Sequence, residues 1–175
     1  MPDSTLTEAI KEAYAAAPSN VVVFHTLEID HVAFSQPIRV VRDVVDLTAT
    51  LEATAPKNAS QSVTFVAYAF DILPPEVTPS AVPQCVIEID NVSREILAQV
   101  ELAVATPDLI TCIYRQFINT DLSGPQNDPP LMLTIKSISA DVFRIRATAG
   151  FGDYANMRWP REEYTSERFP GLIPL

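Results

Sequence analysis

His25 and His31 stand six residues apart with Glu28 and Asp30 between them, a spacing from which a metal site could be drawn. The stretch "VVVFHTLEI" alternates with a period of two, however, and on an extended strand Glu28 and Asp30 point away from the face that carries both histidines. The pattern therefore predicts a half-buried His25 and a turn-side His31 rather than a shared ligand set. Glu162 and Glu163 are the nearest approach to a catalytic carboxylate pair. Neighbours on an extended segment diverge, whereas glycoside hydrolysis needs two carboxyls facing one another across roughly 5 to 9 Å. No G-x-S-x-G elbow, P-loop, G-x-G-x-x-G, C-x-x-C or H-E-x-x-H occurs. Cys85 and Cys112 lie in the apolar contexts "QCVIEI" and "TCIYR" and are expected as two buried thiols acting as small hydrophobes. Taken together, these residues predict a protein that is not an enzyme and uses neither metal nor cofactor.

The formal charge of −10 and a pI near 4.5, without a cluster of Lys or Arg, disfavour nucleic-acid binding by counterion release. Like charge would instead keep a passing duplex from sticking. Asp3, Glu8, Lys11 and Glu12 interrupt the opening residues where a secretion signal needs an apolar run, and nowhere do eighteen apolar residues follow one another. The expectation is a soluble product made in the cytoplasm, with no membrane contact.

A different chemistry, that of adhesion, is concentrated in "DYANMRWPREEYTSERFPGL", residues 153–172. Tyr154, Trp159, Tyr164 and Phe169 recur every five residues, a period that suits neither helix nor strand but fits an extended segment braced by Pro160 and Pro170. Each large ring can bury on the order of 150 to 250 Å². Arg158 and Arg161 can stack on such rings or fork onto carboxylates. Aromatic residues with Arg are the composition of interface hot spots, so Tyr154, Arg158, Trp159, Arg161, Tyr164 and Phe169 are the predicted protein-contact residues. Packing of this arm on its own chain and packing on a neighbour both satisfy the pattern.

The elements that must position these groups come from periodicity. "TLTEAIKEAYAAAPSN" spaces Leu6, Ile10, Ala13 and Tyr14 as a short amphipathic helix, with Thr5 and Glu8 as a capping box and Pro18 as the stop. Eight stretches then read as strands, among them "PIRVVRDVVDL" with "LTATLEA" as its partner. "SVTFVAYAF", residues 62–70, is apolar on both faces as a doubly covered strand would be. "DILPPEVTPSAVP" reads as a rigid loop, and "NVSREILAQVELAVATP" as a second short helix. Fifteen prolines against four glycines favour short strands and fixed loops over a helical fold. The fold class predicted is α+β and mainly antiparallel β. It is a barrel or sandwich of about seven to eight strands with two short helices, one domain over residues 1–175 with residues 151–175 an ordered C-terminal arm.

Three short motifs resemble the domain-of-unknown-function 1833 family: Asn156, Pro160–Arg161, Tyr164–Thr165 and Phe169–Leu172 near the end, "IEIDNVSREI" over residues 87–96, and "ILPPE" over residues 72–76. Trp159 stands where the family pattern suggests Phe, which keeps the aromatic role. The resemblance implies a minor tail protein of a tailed phage or prophage, placed at the tail tip between tail tube or tape measure and hub. Its implied partners are those tail proteins and copies of itself, and its location the virion tail after assembly in the host cytoplasm. A receptor- or carbohydrate-binding module, with Trp159 and Tyr154 stacking on sugars, and a small hydrolase are the alternatives.

Overall fold

Alternation of period two does turn about half of the described chain into strands, and the computed structural model describes residues 4–73, 84–90, 103, 106, 108–141 and 144–151. In chain order these form α1 (Glu8–Ala16), β1 (Val23–Asp30), β2 (Ile38–Val41), β3 (Leu47–Thr50), β4 (Ser62–Ala67), β5 (Phe70–Leu73), β6 (Gln84–Asp90), β7 (Thr111–Ile118), β8 (Leu131–Ala140) and β9 (Arg144–Gly150). Among the described residues the architecture is mainly β with α1 as its one complete helix, which agrees with the broad fold class. Nine strands replace the expected seven to eight because the stretch 62–70 is not one strand. It breaks after Ala67, and Phe70 starts a new strand that takes in Asp71 to Leu73, assigned above to a loop. Nor is β4 doubly covered: Phe65 is buried while Val66 is 47% exposed. Where two helices are expected, α1 is the one described; the second, over residues 91–106, falls outside the described residues except at Ala103 and Thr106.

The strands form one sheet in the order β3-β4-β2-β1-β7-β8-β9-β6-β5. All ladders are antiparallel except β2 with β4, which run parallel through Val40↔Val66 and Val41↔Ala67. The sheet is therefore mixed, and β3 pairs with β4 rather than with β2. It is also open, which corrects the expectation of a barrel or sandwich: among the described residues no ladder joins the edge strands β3 and β5. Instead the chain itself spans the gap, with the Tyr68 N–H donating to the Val41 carbonyl of β2 and the Asp90 N–H of β6 donating to Ala69. A right-handed twist accumulated over many strands curls such a sheet on itself. Here Ile29 and Ile38 of one arm and Ile87 and Ile89 of the other enclose the same small void of about 20 Å³.

Curling gives the sheet an inner and an outer face, and β1 and β7 are buried on both. The inner core holds Leu27, Ile29, Ile87, Ile89, Leu133 and Ile145 together with both cysteines, which are free thiols. On the outer face the β3–β4 hairpin folds back over β1, β2 and β7 and buries Val41, Leu47, Leu51, Phe65 and Phe117, the two rings meeting at 5.9 Å between centroids. Under the same cover lies a cluster of two acids and two bases. Arg115, fully buried, forks onto Glu52 through two bonds of 2.8 Å, and Arg39 donates to Glu28 at 2.8 Å. Nη1 of Arg115 lies 3.4 Å from Glu28 without aiming a hydrogen at it, so attraction there is Coulombic only. Two positive and two negative groups cancel, which is what burial of charge demands.

α1 differs from expectation at its start. Thr7, not Thr5, is the N-cap, and its hydroxyl makes no cap bond but donates to Oε1 of Gln126 at 2.6 Å. The helix ends at Ala17, which takes a left-handed conformation (φ 42°) before Pro18. Among the described residues no helix is long and apolar enough to cross a membrane.

Candidate functional site

Isoleucine packing fills one end of the curled sheet, and at the other end the inner face widens into a cavity of about 350 Å³. Its floor is apolar, with Phe70, Ile72, Cys85 and Leu131, and its polar groups are Tyr14, His25, Arg42, Tyr114 and Gln116. A second hollow of about 690 Å³ shares Tyr14, Tyr114 and Gln116 and continues outward past Pro130, Met132 and Phe151.

Strand lengths explain why the mouth is here. β8 begins at Leu131, opposite Tyr114, so the last half of β7, paired with β1 on one side, has no strand on the other. The loop preceding β8 supplies the missing partner: Gln126 N–H donates to the Gln116 carbonyl at 2.7 Å, and the Asn127 side chain accepts from Gln116 N–H and donates to the Tyr114 carbonyl. The N-terminal segment pairs in turn with this loop, through Thr7 N–H to Gln126 and Asp128 N–H to Thr5. That docking brings α1, and with it Tyr14, to the mouth.

The side chains there form one directed network. Gln116 Nε2 donates to the hydroxyls of Tyr114 (2.7 Å) and Tyr14 (3.0 Å). The Tyr114 hydroxyl is 2.5 Å from Nδ1 of His25, and the rings stack at 6.0 Å. Burial pushes the Tyr114 phenol up to about 12, so it keeps its proton, and one hydrogen joins the pair: from the phenol to Nδ1 in one imidazole tautomer, from Nδ1 to the phenol oxygen in the other. Burial, and then the positive charge of Arg42, hold His25 below its usual range and so favour the neutral ring. Desolvation also raises Tyr14. Arg42 is fixed by its backbone N–H on the His25 carbonyl and pairs with Asp71 across the gap between β2 and β5 at 3.4 Å.

The two histidines serve separate ends of the fold. His31 is 2% exposed, deeper than a turn-side residue, and accepts from Ala33 N–H through Nδ1 while Nε2 lies 3.2 Å from the Asp108 carbonyl. Glu28 points to the outer face, as alternation required, and is committed to Arg39. Among the described residues no group of three or more His, Cys, Asp or Glu is arranged to hold a metal. Glu162, Glu163 and the predicted contact residues Tyr154, Arg158, Trp159, Arg161, Tyr164 and Phe169 lie outside the described residues. Sequence reasoning missed the Tyr14–His25–Tyr114–Gln116 network. Its signal was present in "TCIYRQFI", where Tyr114 and Gln116 occupy the same alternating positions as buried Cys112 and so mark a polar break in an inward face.

The profile of the family described as domain of unknown function 1833 matches residues 9–164, most of the chain. The chain belongs to that family. The matched region runs from α1 through every strand of the sheet and reaches Tyr164, stopping short of the Phe169–Leu172 motif. No curated protein matches the chain. Within this member of the 1833 family the mouth is thus built entirely from the matched region.

Proposed function

We propose that this protein is a structural subunit of a phage or prophage tail tip, seated between the tail tube or tape measure and the hub, and that it acts by contact rather than catalysis. The observation that carries the contact role is an apolar turn between β2 and β3, where Val44 is 91% and Val45 68% exposed. Exposed valines on a loose loop would mean little, but this turn is tied down at both ends. Asp43 accepts from Val44 N–H at 2.6 Å and donates its own N–H to Val41, while Asp46 accepts from Ala67 N–H at 2.8 Å. A rigid apolar projection loses little entropy on docking, which is what a subunit interface favours. The six contact residues from Tyr154 to Phe169 supply the second adhesive element, and the tail-tip assignment itself rests on the motif resemblance.

Copies joined head to tail through such patches would close into a ring. With −10 per chain, a ring around a DNA passage would repel the duplex and let it slip through. The test is reconstitution of tail tips from purified components with wild-type protein, Val44→Asp/Val45→Asp, Trp159→Ala/Phe169→Ala and, as a control, His25→Ala. Both double variants should fail to incorporate while folding normally, and the control should incorporate. Incorporation of both double variants at the wild-type level would overturn the proposal.

A further inference from the structure

The bonds counted at the mouth leave a specific remainder. Gln116 spends both amide hydrogens on the two tyrosines, and one hydrogen joins the Tyr114 hydroxyl to Nδ1 of His25. Three donors are left over among the described residues: the second hydrogen of the His25–Tyr114 pair, on Nε2 or on the phenol according to the tautomer, the hydroxyl hydrogen of Tyr14 and the guanidinium of Arg42. All four side chains line the cavity. The one held cation–anion contact there, Arg42 with Asp71, joins two side chains each more than half exposed and is therefore weak and exchangeable. Beneath these donors the walls are apolar. Donors and one positive charge above an apolar floor describe the complement of an anion with two acceptor oxygens and a hydrocarbon tail.

We infer that this mouth is a binding site for a carboxylate carried on a short apolar body, with the carboxylate among Arg42, the free hydrogen of the His25–Tyr114 pair and the Tyr14 hydroxyl and the body against Phe70, Ile72 and Leu131. A volume of about 350 Å³ holds on the order of ten waters at ~30 Å³ each, room for a six-carbon branched acid. The same chemistry is presented by a free organic acid and by the apolar C-terminal residue of a polypeptide. The site does not rest on the assembly role proposed above, since none of its residues belongs to the valine turn or to the aromatic arm.

The experiment is an NMR titration of the full chain with sodium 4-methylpentanoate, N-acetylleucine and N-acetylleucinamide, reading the amides of Phe70, Tyr114 and Gln116 and the His25 side-chain nitrogens. Saturable shifts at these positions with the two acids, and none with the amide, are expected. Tighter binding of N-acetylleucine assigns the site to a chain terminus, and tighter binding of 4-methylpentanoate to a free acid. Arg42→Gln, at a half-exposed position, should weaken either acid about tenfold or more through loss of a charge-assisted hydrogen bond. Asp71→Asn, which removes the competing carboxylate, should tighten it. No shifts at these residues, equal binding of the amide, or an unchanged affinity in Arg42→Gln would each overturn the inference.

Discussion

Cutting Glu52 back to alanine would leave Arg115 fully buried with both of its 2.8 Å bonds gone. Glu28 would not replace Glu52: its carboxylate is held by Arg39 at 2.8 Å and approaches Arg115 only at 3.4 Å, where no hydrogen is aimed. The cluster would go from two positive and two negative groups to a net buried positive charge. Breaking a buried pair from one side costs about 3–5 kcal/mol, a large share of the ~5–15 kcal/mol that holds a typical domain together. For a chain of this size, at about 2–4 °C per kcal/mol, the melting temperature should fall by roughly 6–20 °C. Replacing both partners, Glu52→Leu with Arg115→Met, removes the charge imbalance and should recover most of the loss, because apolar isosteres of a buried pair are often neutral or better. Urea unfolding of the wild type, both single variants and the double variant closes the cycle. A cost below about 1 kcal/mol for Glu52→Ala, or a double variant as unstable as the sum of the singles, would show that the cluster does not hold the hairpin cover in the way argued.

Other consequences are as direct. Ala17→Gly relieves a left-handed conformation that costs an L-residue roughly 1–2 kcal/mol, offset in part by the entropy of glycine, and should raise stability by about 0.5–1 kcal/mol in the same urea assay. Folded His25 resists protonation, so below pH 6.5 the unfolded chain takes up a proton that the folded chain refuses; stability present above 6.5 should decline as pH falls, and the decline should be shallower in His25→Asn. On the alkaline side burial raises Cys112, with Cys85 and Glu28 adding to it, from 9.0 to about 12, and Tyr114 goes from 10.0 to about 12. Both groups hold protons that the unfolded chain gives up earlier, so stability complete below pH 9 should fall as pH climbs toward 12, less steeply in Tyr114→Phe. Phe117→Ala, which empties the centre of the outer core, should cost about 3–5 kcal/mol in urea unfolding.

The parts of this fold legible in the sequence are those decided by local alternation. "QCVIEID" and the end of "ADVFRIRATAGF" show their inward residues at every second position, and Cys85, Ile87, Ile89, Ile145 and Ala147 are indeed buried. What local pattern does not encode is which strands meet. "SVTFVAYAF" is apolar on both faces because it passes from β4, paired with β2, to the start of β5, paired with β6, and each part meets a different environment. The apolarity that predicts double cover belongs to a segment that changes partners midway. The charged cluster was equally hidden. Arg115 and Glu28 occupy outward positions of their strands, where charge ordinarily signals solvent, and only the hairpin folding back over them makes the outward face a second interior.

That second interior bears on the mouth. β1 and β7 carry the inner network on one face and the ion cluster on the other, with Tyr114 and Gln116 flanking Arg115 in sequence. Packing on both faces fixes these two strands, and with them the positions of His25 and Tyr114. The opposite wall of the mouth, Phe70 and Ile72, belongs to β5, which is laddered to β6 from Phe70 to Leu73 and reaches the β2 side of the gap through chain continuity and the Tyr68 N–H on Val41. One wall is therefore packed between two interiors, and the other is a sheet edge held by its ladder to β6 on one side. Arg42 and Asp71 bridge the β2–β5 gap at 3.4 Å, so the charged side of the mouth lies where the sheet does not close, while its directional donors sit on β1 and β7, the strands buried on both faces.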